Sequence, residues 1–432
     1  MPLEYPVHQA TLDNGLRVIV SPDHGVPNVS VNLWVGVGSR HEQPGRTGFA
    51  HLFEHLMFQG SRNVKSGEHF SALMAAGGRL NATTWFDRTN YFETVPRGAL
   101  DLALWLEADR HGRLLDAVNQ TNLDNQRDVV KEEKRQRYDN VPYGHALIDI
   151  YATVFPLAHP YHHPTIGSME DLDAASVDDV HAFFAQHYGP NNTVLSLVGD
   201  IVPDEGFMLV ERYFGALPAS ASPVDQRHAQ LAPLAAPLRS TRTGDVPNDR
   251  LHLAWRLPVD ATEDYLSATL ALDAIGGLTM GRLPTRFVRS EQTLYGVDAT
   301  ALGLVDGVSL GLLTLDVADG QDPDEIEDAV CREIEAFLSQ GPTLGEIEAS
   351  LAQAERSWLS DMASTEDRAD AFSHTEMLQK DPHLVNTYLD RLRRITPEQI
   401  LDSARTWLQP SSRATIAHVR GEPGIVLAEA VA

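Results

Sequence analysis

Residues 29–37 alternate between apolar and other side chains. Val29, Val31, Leu33, Val35 and Val37 fall on one face, with Ser30, Asn32, Trp34 and Gly36 between them, a period of two that predicts a strand with one buried face. The Asn14-Gly15 pair ahead of 16–20 predicts a turn into another strand. After a loop containing Gly38, Pro44 and Gly45 the period lengthens, and Phe49, Leu52, Leu56 and Met57 recur at helical spacing across 48–58. A second helix is expected over 66–76, stopped by Gly77-Gly78, and the runs 80–86 and 90–95 flank Asp87-Arg88 as a hairpin. Helices follow over 100–111 and 121–139, and a strand over 193–198 closes this half.

Between 217 and 237 the composition turns to Ala, Pro and Ser, with Pro218, Pro223, Pro233 and Pro237, which marks a linker. A similar order then resumes. Leu251, Leu253, Trp255 and Leu257 alternate as a strand, helices are expected from Glu263 and Gly281, strands over 295–302 and 308–317, and further helices lead to a closing strand over 414–419. The expected organisation is an N-terminal domain over 1–222, a linker over 223–240 and a C-terminal domain over 241–432. Two α+β halves, each opening and closing on a strand, point to a duplicated domain.

Composition narrows the partners. A chain of 432 residues exceeds one ordinary core. Its formal charge of −26 argues against nucleic acid or an anionic membrane as partner and favours neutral or basic polypeptides. With Cys331 as the only cysteine no intrachain disulfide forms, which fits a cytoplasmic location. Residues 1–10 lack a basic start followed by an apolar stretch, so no signal peptide is expected, and no apolar run approaches the ~20 residues of a membrane span.

The pentapeptide His51-Leu52-Phe53-Glu54-His55 carries the chemistry. Its imidazoles at i and i+4 lie one helical turn apart on one face, where both reach a single tetrahedral metal, and Glu54 leans to the same side. Zinc held by two imidazoles and a carboxylate keeps a position for water, whose proton a neighbouring carboxylate can take. The His-x-x-Glu-His order is the inverted zincin pattern of zinc peptidases. The alternative is a chance order on an amphipathic helix in a chain with 18 histidines. A third ligand is expected from Glu132-Glu133 on the helix over 121–139. Leu123, Gln126, Val130, Glu133 and Arg137 form one stripe, with Glu132 about 100° away. A metal cation would offset the cost of a carboxylate on that buried face. The alternative is a solvated glutamate paired with Arg135 or Arg137.

These segments, in this order, resemble the pitrilysin family, which includes insulin-degrading enzyme and the mitochondrial processing peptidases. The resemblance runs through Leu12-Asp13-Asn14-Gly15-Leu16-Arg17-Val18, Val35-Gly36-Val37-Gly38-Ser39-Arg40 and the residues from Gly48 to Phe58. It continues through Gly77-Gly78-Arg79-Leu80-Asn81-Ala82-Thr83-Thr84, Val129-Val130-Lys131-Glu132-Glu133 and Asn192-Thr193-Val194-Leu195. It implies an α+β fold of two homologous domains, each a mostly antiparallel sheet with helices packed on it, and one zinc ion per chain held by His51, His55 and Glu133 with Glu54 as base. It implies that Asn81, Ala82 and Thr84 lie on an edge strand that pairs with an extended peptide substrate. It further implies that Arg289 and Tyr295, in Arg289-Ser290-Glu291-Gln292-Thr293-Leu294-Tyr295, bind the substrate carbonyl and stabilise the oxyanion from a partner subunit in a homodimer or heterodimer. One departure stands out. Seven positions before the metal glutamate the family commonly has a second glutamate supporting the site; here it is Gln126, which can hydrogen-bond but carries no charge.

Three functions follow from this reading: an endopeptidase acting on extended peptides, a dedicated leader-peptide processing enzyme, or a non-catalytic assembly subunit. His159, His162 and His163 cluster between Pro160 and Pro164 without ligand spacing and are not expected to hold a metal. Cys331 is expected to be a small buried hydrophobe, and Gly276-Gly277 lacks a phosphate-cradling pattern.

Overall fold

A computed structural model describes residues 4–221, 227–422 and 424–430. Residues 222–226, with Pro223 of the expected linker, lie outside the described residues, as do 1–3 of the N-terminal segment.

The first sheet contains β1 (His8–Thr11), β2 (Arg17–Pro22), β3 (Asn28–Val35), β4 (Arg79–Thr84), β5 (Thr89–Pro96) and β6 (Thr193–Gly199) in the order β1-β2-β6-β3-β5-β4. Only the β2–β6 pair is parallel. With it belong helices α1 (Phe49–Leu56), α2 (Glu68–Ala75), α3 (Leu100–Arg113), α4 (Gln120–Lys134), α6 (Met169–Ala174), α7 (Val177–His187), α8 (Pro203–Phe214) and α12 (Thr365–His374), while α5 (Ala146–Val154) belongs to the second unit.

The second sheet contains β7 (Leu238–Gly244), β8 (Arg250–Leu257), β9 (Leu294–Leu302), β10 (Ser309–Val317), β11 (Ala414–Arg420) and β12 (Gly424–Ala430) in the order β12-β7-β11-β8-β10-β9. Again one pair, β7–β11, is parallel. It carries α5, α9 (Glu263–Leu272), α10 (Pro323–Gln340) and α14 (Pro397–Trp407). Helices α11 (Leu344–Ala363) and α13 (Leu384–Arg394) are where the chain passes between the units. Position by position the two sheets have the same topology, apart from the edge strand supplied by the N-terminal end in one and the C-terminal end in the other.

The expected strand over 29–37 forms as β3, but it differs from expectation in burying both faces. Its valine and leucine side join Val18, Val20, Leu195 and Leu197 in a core closed by α3 and α8. The other side, with Ser30, Asn32 and Trp34, is buried beneath α12. There Ser30 Oγ lies 2.8 Å from Thr365 Oγ1, and the Trp34 indole donates to Asp370 at 2.7 Å. The alternation thus divides an apolar face from a hydrogen-bonded one, and not inside from outside.

The units are interleaved. Arg135–His162 groups with the second sheet and Trp358–Tyr388 with the first, whereas pattern reading placed each within its own half. The cause is packing: α5 lies on β7, β8 and β11, and α12 lies on β3, β5 and β6. Strand β7 also begins inside the segment expected to be linker.

Candidate metal centre

Helix α1 starts abruptly. Gly48, its N-cap, sits at φ +87°, and a Cβ there would lie 2.7 Å from the Ile166 carbonyl oxygen, so both conformation and space call for glycine. Phe49, Ala50, Leu52, Phe53 and Leu56 are buried, with Phe53 against Phe183 and Tyr188, which turns His51, Glu54 and His55 to the half-buried opposite face.

The two imidazoles stand edge to face with ring centres 4.8 Å apart. Glu133 on α4 meets them: its Oε2 lies 3.3 Å from His55 Nε2 and 3.7 Å from His51 Nε2. Ligand atoms about 2.0–2.1 Å from a tetrahedral zinc stand roughly 3.3 Å apart, so this donor set of two nitrogens and one carboxylate fits that ion. The stripe explains why Glu133 is the one that arrives. Leu123 and Val130 anchor α4 in the core, Gln126 and Glu133 are half-buried beside them, and Glu132 is exposed. Arg137 leaves the stripe because the helix widens into a π turn over Arg135–Asp139, and it is exposed.

Glu54 is held from the hairpin. The Thr84 hydroxyl, at the end of edge strand β4, donates to Glu54 Oε2 at 2.6 Å. Burial raises the Glu54 carboxyl above its ordinary value, while the Thr84 hydroxyl, His55 and Arg88 pull it back. On the same strand Asn81 is exposed and Ala82 buried. Thr84 was expected as a substrate contact; its bond to Glu54 is thirty residues away in sequence and carried no signal there. Equally unforeseen is Glu42, fully buried, which accepts N–H bonds from Gly48 at 2.9 Å and Ala50 at 2.7 Å. Burial pushes its carboxyl up to about 8, against the pull of the Ala50 and Gly48 N–H groups.

Arg289 and Tyr295 belong to the second unit and are both exposed. Arg289 reaches the Met280 sulfur, and the Tyr295 phenol oxygen accepts from the Asp319 N–H at 3.2 Å. The histidine cluster disperses: His162 Nδ1 lies 2.8 Å from the Phe155 carbonyl, His163 faces Glu42, and His159 stacks on Phe155. Burial pushes the Cys331 thiol up to about 11.

A second triad, His69, Glu93 and Glu107, also brings its ligand atoms within 4.8 Å of one another, but it is entirely buried. Its charge is already balanced. Arg110 donates to both oxygens of Glu107. Burial raises Glu107, and Arg110 and His69 overturn this and hold it well below the usual range. Burial and the Glu107 charge raise Glu93 well above it, so Glu93 keeps its proton and uses Glu107 as acceptor. Two carboxylates, one guanidinium and one proton sum to zero, and a divalent ion would leave excess positive charge in a dry core.

Comparison with known proteins points to one family. The family model described as Insulinase (Peptidase family M16) matches residues 17–157, and the one described as Peptidase M16 inactive domain matches 174–354. The chain is 32% identical over 294 residues to the zinc protease PqqE of Helicobacter pylori, 66% of this chain and 64% of that protein. It is 25% identical over 437 residues to an uncharacterized zinc protease of Streptomyces coelicolor, covering 99% of this chain and 93% of that one. The chain thus spans less than two thirds of the first of these relatives. Among solved structures, a Helicobacter pylori protease superposes with a TM-score of 0.89 at 24% identity over 96% of this chain and all of that one. A putative M16-like peptidase from Alicyclobacillus acidocaldarius gives 0.83 at 16% identity, over 98% of this chain and 100% of that one.

Proposed function

Because the chain belongs to the M16 insulinase family, also called the pitrilysin family, we propose that it is a zinc-dependent endopeptidase that hydrolyses extended peptides. The observation that carries this reading is the meeting of His51, His55 and Glu133 from two helices beside Glu54. His51, His55 and Glu133 would hold a zinc ion there, which would supply Lewis acidity and ease the ionisation of water near neutral pH. Glu54 takes the proton of the attacking water, its Oε2 oriented by the Thr84 hydroxyl, and returns it to the leaving amine. An extended peptide adds to the free edge of β4, where main-chain bonds give affinity with little side-chain preference. Arg289 and Tyr295 are assigned to the substrate carbonyl, contributed from a second subunit in a homodimer or heterodimer, and the location is cytoplasmic.

The test is zinc content and cleavage of an unstructured peptide mixture by the purified chain. About one zinc per chain with chelator-sensitive cleavage supports the proposal, and a chain that binds no zinc overturns it. Mixing a Glu54→Gln chain with an Arg289→Ala chain tests the shared site, since activity returns only if the two residues act across subunits. The non-catalytic reading has one observation in its favour, the match of 174–354 to a domain described as inactive. That stretch, however, lies outside the His-x-x-Glu-His motif and Glu133.

A further inference from the structure

The helix that carries three of the four site residues has a weak beginning. Helix α1 is eight residues long, a length marginal on its own in water, and its N-cap Gly48 has no side chain to offer its first N–H groups. The missing cap comes from outside the helix. Glu42 places Oε2 on the Gly48 N–H and Oε1 on the Ala50 N–H, at 2.9 and 2.7 Å, and its side chain is wholly buried over that first turn. A buried carboxyl group needs hydrogen-bond partners for its oxygens, and here each accepts one N–H of that first turn, so this contact is specific to the start of α1 and is not a solvated accident. The residue before the cap is clamped too: Thr47 donates both its N–H and its hydroxyl to Asp171, at 2.9 and 2.6 Å, and accepts from the Ser168 N–H at 2.9 Å. The space is tight, because a Cβ on Gly167 would lie 2.2 Å from the Gly48 nitrogen. His163 Nδ1, 3.7 Å from Glu42, closes the remaining side.

We propose that Glu42 is a positioning residue for the metal centre: by capping α1 from the preceding loop it fixes where the helix starts and how it is turned, and so sets His51, Glu54 and His55 against Glu133. His51 is only the third residue of the helix, so a start that slips by one residue rotates both imidazoles by about 100° away from α4. Asp171 fixes the incoming chain and Glu42 the outgoing turn.

This inference rests on the zinc reading above, and the experiment separates the two. Zinc affinity is measured by competition with a chelator, and site geometry by the visible absorption of the cobalt-substituted chain. Both use the full chain for wild type, Glu42→Ala, Glu42→Gln and, as a control, Leu209→Ala, a core truncation on α8 away from α1. Glu42→Ala is expected to weaken zinc about 10- to 100-fold and to alter the cobalt spectrum. Glu42→Gln, which keeps one acceptor, is expected to lose about fivefold. Leu209→Ala, which loses thermal stability, is expected to bind zinc as wild type does. Wild-type affinity and spectrum in Glu42→Ala overturn the proposal, as does an equal loss in Leu209→Ala. Should Glu42→Ala fail to fold, Glu42→Gln decides, and wild-type affinity there overturns it. A wild-type chain without zinc removes the zinc reading itself.

Discussion

The two sheets are built alike and used differently. Each has six strands in corresponding order with one parallel pair in the same place, and each follows its third strand from the free edge with a helix, α1 after β3 and α9 after β8. On α1 the outward face carries two imidazoles and a carboxylate. At the same distances from its cap α9 carries Tyr265, Ala268 and Thr269, with neither imidazole nor carboxylate among them, under an ordinary Thr262 cap that accepts from the Tyr265 N–H. The helix with a self-contained cap carries no chemistry, and the one with chemistry borrows its cap from Glu42. The fold is therefore one topology used twice, while the proposed reaction depends on a few side chains present in one copy.

The largest effect that breaks the symmetry is on catalysis. Glu54→Gln is expected to keep zinc while peptide cleavage falls roughly 10²- to 10⁴-fold, the contribution of a general base. Glu263→Gln in the first turn of α9 is expected to leave cleavage unchanged. A Glu54→Gln chain as active as wild type removes Glu54 from the mechanism, and with it the contrast between the helices.

Next comes stability of the first unit, whose core holds the buried pair. Among the described residues Arg110 is the sole guanidinium on Glu107, so Arg110→Ala leaves that carboxylate buried without its arginine partner, and a loss of about 3–5 kcal/mol is expected in denaturant unfolding. An effect below about 1 kcal/mol, typical of a surface pair, would show that the cluster is wetter than it looks.

The same cluster makes stability depend on pH in a defined direction. Glu93 is raised above the ordinary 4.5, so the folded chain keeps a proton that the unfolded chain has released. That contribution is complete below 4.5 and is lost as pH rises toward the folded value. Glu107, held down, acts oppositely and loses its contribution as pH falls below 4.5. Glu93→Gln should therefore flatten the alkaline decline by up to one proton, about 1.4 kcal/mol per pH unit, in unfolding curves taken from pH ~6 to ~8. Parallel curves for variant and wild type would mean Glu93 is already ionised in the fold.

How much of this was legible depends on how far apart in sequence the cause lies. His51, Glu54 and His55 sit within one helical turn, and Glu133 follows from a stripe fixed by Leu123 and Val130; periodicity reports both. The strands β3, β8 and β10 were legible because their alternation is long. Strand β1 has four residues and β7 starts among prolines, so neither carries a pattern. The packing of α12 on β3 is a contact between residues more than 300 apart, through pairs such as Ser30 and Thr365, and no local period encodes it. Glu42 is close in sequence to Gly48, yet the intervening loop has no repeat, so its capping role becomes visible only in three dimensions.

The smallest predicted effect concerns the edges of the two sheets. Strand β4 closes the first sheet and β9 the second, and each leaves one side without a strand neighbour among the described residues. What distinguishes β4 is that Thr84 ties it to Glu54, so the strand proposed to take the peptide also orients the base. Thr84→Val keeps the shape and β preference of the position while removing the donor. One hydrogen bond of about 1–1.5 kcal/mol corresponds to a fall of about five- to tenfold in kcat/KM, with zinc content unchanged. Thr300→Val on β9, which leaves Glu54 untouched, should change nothing. If the two variants behave alike, the hydroxyl on β4 is an ordinary edge threonine and the link between peptide docking and base is lost; if only Thr84→Val falls, the asymmetry extends from the helices to the strands beside them.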